Sequence, residues 1–192
     1  MKSSLFRKEV FPFLALFVSL ILTTMVTDAL LHQFELVWIG RWLGIPGTIL
    51  ILLSFFYSMR KRKIINSGRP KSLLTLHETL TWIGALLILV HAGIHVYTIL
   101  PWLALIAMLV NVISGMTGTY LLGRSRRFLM EKREIYTQQG LSEEELEKNL
   151  FWDAITFDLM KKWRVVHLPI TLAFAVLGIT HILSILLFWQ WK

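Results

Sequence analysis

Five stretches of the chain are apolar for long enough to cross a bilayer, and the polar positions crowd between them. They run at about 10–31, 38–59, 73–99, 102–122 and 165–189. A spanning helix needs about 20 mostly apolar residues, and each stretch meets that length. The pattern therefore predicts an all-α integral membrane protein with five transmembrane helices. Pro12, Pro46 and Pro101 fall in predicted first turns, where a missing N–H is harmless. Trp38, Trp42, Trp102, Trp163, Trp189 and Trp191 stand near span ends, where indole rings favour the membrane interface. The apolar run from Val10 is too long for the core of a signal peptide, and no small-x-small cleavage pattern follows it. It reads as an uncleaved first span.

The longest polar stretch, 123–164, is expected to be a cytoplasmic connection that contains an amphipathic helix. Gly140 marks a break, and Ser142-x-x-Glu145 is a capping box opening a helix. Leu146, Leu150, Ala154, Phe157 and Met160 then form an apolar stripe against Glu147, Lys148 and Lys161. Such a stripe suits either a helix lying on the membrane surface or a docking face for a partner protein.

Composition agrees with this class. Hydrophobic residues make up 55% and charged residues 17%, with a mean hydropathy of +0.62. Both a soluble domain and a disordered chain are excluded, since the first carries about 25% charge and the second little apolar content. With no cysteine there is no disulfide, thiolate-held cluster or covalently attached c-type haem. Any metal centre must rest on histidine or carboxylate.

The formal charge of +8 is a topology signal. Of the 20 Lys and Arg residues, 18 flank the N-terminus, the 60–71 loop and the 123–164 connection, all on one side of the membrane in this topology, and only Arg41 and Lys192 fall on the other. By the positive-inside rule the N-terminus is cytoplasmic and the C-terminus outside, in a prokaryotic inner membrane. No basic stripe with interleaved aromatics stands apart from the span ends, so nucleic acid is not an expected partner.

Candidate chemistry lies in the histidines. His77 and His91 are fourteen residues apart in the third span, as are His167 and His181 in the fifth. Fourteen residues return within about 40° to one helix face, with a rise of roughly 21 Å. The two spans run parallel in this topology, so His77 pairs in depth with His167, and His91 with His181. Two levels with one imidazole from each helix suit two haems, each iron held by two axial histidines. Six-coordinate iron of that kind transfers electrons and leaves no open position for oxygen. The plainer reading of any single membrane histidine is an interhelical hydrogen bond. A zinc or di-iron site wants close-spaced ligands with carboxylates; His91 and His95 have i,i+4 spacing, but no carboxylate lies beside them in that apolar stretch.

Other residues join this picture with two readings each. His95, eighteen residues from His77, shares the same face and is the alternative outer ligand, or a partner for a propionate or quinone. Asp28, His32 and Glu35 form either a proton exit beside a quinol site or an ordinary polar helix end. Gly84 and Gly178 make room for porphyrin edges or for close helix packing. Phe174 sits between haem levels or packs as core, and Pro169 frees backbone carbonyls near His167. The fourth span has a small-residue face of Asn111, Ser114, Gly115 and Gly118. Arg69, Lys71, Lys162 and Arg164 neutralise inner propionates, with Arg41 outside, or simply flank the spans.

Leu76 to His95, LHETLTWIGALLILVHAGIH, and Trp163 to His181, WRVVHLPITLAFAVLGITH, resemble the membrane cytochrome b superfamily. With its ligands on the third and fifth spans, the chain is most similar to the ferric reductase-like transmembrane domain. The resemblance covers roughly 70–190. It implies two haem b groups with His77, His91, His167 and His181 as axial ligands. The chain differs in having five spans where six are common, and no flavin or nicotinamide domain follows the fifth. Electrons are then expected from a separate flavoprotein, iron–sulfur protein or cytochrome c, or from quinol. The resulting expectation is a di-haem electron-transfer subunit of an oxidoreductase. The alternatives are a reductase delivering electrons to iron or oxygen outside, and a haem-free scaffold or transporter.

Overall fold

The computed structural model describes residues 5–94 and 99–188, with the backbone alone at 6, 94, 119, 120 and 164. Among these residues the chain is helical almost throughout and has no strand. The helices are α1 (Phe11–Gln33), α2 (Val37–Trp42), α3 (Gly44–Lys61), α4 (Pro70–Ile94), α5 (Ile99–Met116), α6 (Leu122–Gln138), α7 (Glu143–Val165) and α8 (His167–Phe188). A π-helical turn, Phe6–Val10, precedes α1, and another, Thr117–Leu121, joins α5 to α6. Five helical stretches are long and apolar enough to cross a membrane: Arg7–Gln33, Val37–Lys61, Pro70–Gly93, Ile99–Met116 and Glu143–Phe188. These match the five expected spans in number and order. Their outward side chains are apolar, with Leu22, Met25, Leu52, Ile106, Leu172 and Val176 all largely exposed. A surface of that kind is stable against lipid and not against water.

Local chemistry sets the helix ends. Glu35 and Lys63 adopt φ of 58° and 59°, and the bonds Leu36 N–H to Leu31 O and Ile64 N–H to Met59 O close the ends of α1 and α3. The polar connection ends α6 in the same manner, with the residue best suited to it. Gly140 has φ of 75°, Leu141 N–H donates to Tyr136 O, and Gly140 N–H donates to Thr137 O. This is a Schellman motif, where glycine avoids the Cβ penalty of left-handed backbone. The expected capping box then opens α7. Glu145 Oε2 accepts from Ser142 N–H at 3.0 Å, and Ser142 Oγ accepts from Glu145 N–H at 3.4 Å.

The chain divides into two compact units, Met1–Val18 with Ile113–Ile170, and Ser19–Val112 with Thr171–Lys192. The first unit is organised by α6 and α7. Leu5, Phe13, Leu121, Leu122, Phe128 and Met160 form one buried cluster, and Tyr136, Leu146 and Leu150 form another. The stripe that the sequence offered to a membrane surface is thus largely consumed within the protein: Leu146, Leu150 and Met160 are buried and Phe157 packs against the first cluster. Ala154 is exposed, and its neighbour Asp153 is buried in its stead. Asp153 earns that position through two bonds. Its Oδ1 accepts the Leu5 N–H at 3.0 Å and its Oδ2 pairs with Lys132 Nζ at 2.5 Å. Lys132 in turn lies over the rings of Phe128 and Tyr136, at 5.6 and 5.8 Å. One carboxylate therefore joins the start of the chain to α6 and α7.

Two outcomes are expected. Asp153→Ala leaves the half-buried Lys132 and the Leu5 N–H without their partner and should cost about 2–3 kcal/mol, read as lost protection of Leu5 and the α6–α7 amides in hydrogen exchange. Gly140→Ala places a side chain in left-handed backbone and should cost about 1–2 kcal/mol, although no atom lies within 4 Å of the added Cβ among the described residues. A third follows from titration. The Ser142 backbone N–H, and secondarily its hydroxyl, hold the Glu145 carboxyl below its ordinary value. This stabilisation is complete above the usual carboxylate pKa and is lost as pH falls through the lowered value. Amides in the first turn of α7 should therefore lose exchange protection in acid, and Glu145→Gln should remove that pH dependence.

Candidate functional site

The second unit is built on an antiparallel seam between α4 and the α2–α3 stretch. In lipid, apolar surface gives helices no reason to prefer each other, so close backbone approach and polar bonds hold them together. The seam repeats every seven residues on both sides. At one level His91 Nδ1–H donates to Gly40 O at 3.3 Å. At the next, Gly84 and Gly47 meet backbone to backbone, so that a Cβ on either would lie 3.0 Å from the other's carbonyl oxygen. At the third, His77 Nδ1–H donates to Ser54 O at 3.0 Å. Tyr57 lies beside the His77 ring, with centroids 5.5 Å apart. Gly44 gives room for the other imidazole, since a Cβ there would come within 2.9–3.0 Å of the His91 ring.

Gly84 therefore serves the helix seam, and the space next to it belongs to α3 and not to a porphyrin edge. The residues that the sequence reading passed over are Gly40, Gly44 and Gly47. Their signal was present as Gly40-x-x-x-Gly44, the small-residue spacing that brings membrane helices together.

A carbonyl can only accept, so the bonds to Gly40 and Ser54 place a proton on Nδ1 of His91 and His77. In the neutral imidazole the lone pair then resides on Nε2. Ligating histidines use this arrangement, with the second ring nitrogen donating to a carbonyl that fixes the tautomer and raises basicity. In the first unit His167 Nδ1 is 3.0 Å from Ser114 Oγ, and Gly115 leaves space for the ring, 3.1 Å from where a Cβ would stand. His32 makes a carbonyl bond as well, but to Asp28 in its own helix.

α8 has a different character. No described residue on it is buried. One stripe, including His167, Thr171, Phe174, Gly178 and His181, is half-buried, and most of the remainder is exposed. Both histidines therefore share the single inward face of this helix. Thr171 Oγ1 donates to Asn111 Oδ1 of α5 at 2.6 Å. Among the described residues no extended backbone seam ties α8 to another helix. His181 is half-buried on this face. On the same face, a Cβ at Gly178 meets no atom within 4 Å among the described residues, which leaves open room one turn from His181.

Other expected site residues stand apart. Arg69, Lys71 and Lys162 are exposed, as is Arg41. His95 lies outside the described residues, and so does the side chain of Arg164. No group of three metal-ligating side chains occurs among the described residues. Comparison with protein-family models, characterised proteins and solved structures finds no match.

The seam predicts its own mutational response. Gly84→Ala drives a methyl group against Gly47 O and Ile51, and should destabilise the protein by about 1–3 kcal/mol. Gly123→Ala, an exposed helical position with nothing within 4 Å, should be neutral or stabilise by up to about 1 kcal/mol. Thermal unfolding in one detergent distinguishes the two.

Proposed function

We propose that this chain is a membrane-embedded di-haem b-type cytochrome that passes electrons as a subunit of an oxidoreductase. The observation carrying this reading is the state of the histidines. Two imidazoles on α4 are anchored through Nδ1 to neighbouring carbonyls at a fourteen-residue interval, and α8 carries His167 and His181 at the same interval on its half-buried stripe. His91 and His181 are assigned to one haem. For His77 and His167 the support is the matched spacing and the Nδ1 bond that each makes within its own unit.

Bound in this way, haem supplies a one-electron iron couple with both axial positions filled. The chain's own residues do the rest. The carbonyls of Gly40 and Ser54 fix the ring orientation, so that Nε2 is the nitrogen left for a ligating role. Gly44 and Gly115 admit the rings against the helix backbones. The apolar helices exclude water and so set the dielectric surroundings on which potential depends. The chain's basic flanks give the N-terminus and the 123–164 connection a cytoplasmic assignment, next to a donor or acceptor subunit. Arg69, Lys71, Lys162 and Arg164 are the cationic candidates for propionates at that end.

Pyridine haemochrome analysis should give two b haems per chain; one or none overturns the reading. His91→Ala and His181→Ala should lose the same haem, and His77→Ala and His167→Ala the other, in resolved redox titrations. His95→Ala should retain both. Loss of the outer haem in His95→Ala with retention in His91→Ala would move the ligand to His95. A cysteine at Gln139 should label only from the cytoplasmic side.

A further inference from the structure

Three segments far apart in the sequence gather basic side chains around one buried cluster of the first unit. Leu5 and Phe13 near the start of the chain, Leu121, Leu122 and Phe128 at the start of α6, and Met160 near the end of α7 make that cluster. Direct contacts hold the segments together: the Ser125 hydroxyl donates to Met160 Sδ at 3.5 Å, and Lys8 Nζ lies 5.3 Å over the Phe128 ring. The positions flanking these contacts are therefore brought together as well. They include Arg7, Lys8, Arg124, Arg126, Arg127 and Lys161, all exposed. The same stretches, 5–13, 121–130 and 158–164, contain only two carboxylates, Glu9 and Asp158. Glu9 stands 3.9 Å from Arg124, and Asp158 pairs with Lys161 at 3.0 Å. Arg126 and Arg127 meet no carboxylate within 4.0 Å among the described residues. Crowding of like charge opposes the compact state unless counter-charge comes from outside the chain.

The arrangement selects the kind of anion. Arg124, Arg126 and Arg127 are separated by about 200° and then about 100° around the helix axis, with Ser125 and Phe128 buried on the remaining side. The three guanidinium groups fan out as a collar and do not converge on one point. A single soluble anion meets few of them at once, whereas a layer of anions meets them all. Arg7 opens the apolar stretch Arg7–Gln33, Arg124 comes three residues after the π-helical turn that follows α5, and Lys161 comes six residues before α8. Trp163, 38% exposed, stands at the same end of α7, where an indole suits the membrane interface. Each segment of the collar thus passes within about two turns into a membrane span, which sets it at the level of lipid headgroups. Guanidinium binds phosphate oxygens through paired N–H groups, and clustered cations beside a span attract anionic lipid. We propose that this collar binds the headgroups of anionic phospholipids, and that their phosphates bridge the N-terminal segment to α6. The bridge adds to the bond between Leu5 N–H and Asp153 in seating that segment. Basic flanks that serve topology alone require neither a lipid preference nor an effect on packing; the bridged collar predicts both. The proposal is independent of haem.

The full chain, delipidated in a nonionic detergent, allows a test with dioleoylphosphatidylglycerol against dioleoylphosphatidylcholine, which has the same tails. Native mass spectrometry should show the anionic lipid retained at least fivefold over the zwitterionic one. Arg126→Gln with Arg127→Gln should remove most of that preference. Arg62→Gln with Lys63→Gln makes the same charge change at exposed positions of the second unit and should leave it intact. In nanodiscs, phosphatidylglycerol should slow hydrogen exchange of the 5–10 amides at least threefold relative to phosphatidylcholine. Glycerol 1-phosphate added to the phosphatidylcholine discs, the same phosphate chemistry without a membrane anchor, should not. Equal retention of the two lipids, equal loss in the two double variants, or equal protection by glycerol 1-phosphate overturns the proposal. The two-lipid comparison on the parent chain decides even where a variant fails to fold.

Discussion

The antiparallel seam between α4 and the α2–α3 stretch is the constraint on which the second unit depends. Lipid removes the ordinary reason for helices to associate, because an apolar side chain gains little by exchanging a lipid tail for another side chain. What remains is van der Waals contact at short range and polar bonds that have no water to compete with them. The Gly47–Gly84 contact supplies the first, and the imidazole–carbonyl bonds on either side supply the second. The three levels interlock. The glycine crossing brings the backbones near enough for His77 and His91 to reach a neighbouring helix's carbonyls. Those bonds in turn fix the register that places glycine against glycine.

This seam links packing to chemistry through the tautomer. A histidine exposed to water samples both neutral forms and the cation. Facing a backbone carbonyl, it keeps a proton on Nδ1, and in the neutral ring the lone pair on Nε2 has a fixed direction. The proposed cofactor role requires no residue beyond those already used in holding the helices together. Any change to the glycine ladder would therefore be felt as both altered stability and altered ring orientation. α8 supplies a contrast: its histidines share a half-buried face, yet the helix is not drawn into a tight seam.

In the first unit, α6 and α7 are held by different means. Its helices have ordinary apolar clusters, a capping box and a glycine-ended turn, and its buried charge is compensated. Asp153 is retained in the interior because Leu5 N–H and Lys132 give it a complete set of partners. Asp28 in the second unit lacks comparable partners.

Much of the architecture was legible in the amino-acid pattern. Hydropathy over about 20 residues is a local property, so the five spans, the Gly140 break and the Ser142–Glu145 cap could be read directly. The equal spacing of His77–His91 and His167–His181 could be read as well, since helix geometry converts spacing into a shared face. What the pattern left open was which neighbour each face meets. Gly84 looked equally suited to a porphyrin edge or a helix crossing until Gly47 appeared opposite it. The α7 stripe looked suited to a membrane surface until α6 and the N-terminal segment covered it, with Asp153 buried where Ala154 was expected. Nor did periodicity distinguish a satisfied carboxylate from an orphaned one. Periodicity reports which direction a side chain faces, whereas the identity of the partner depends on residues tens of positions away that only the folded chain brings near.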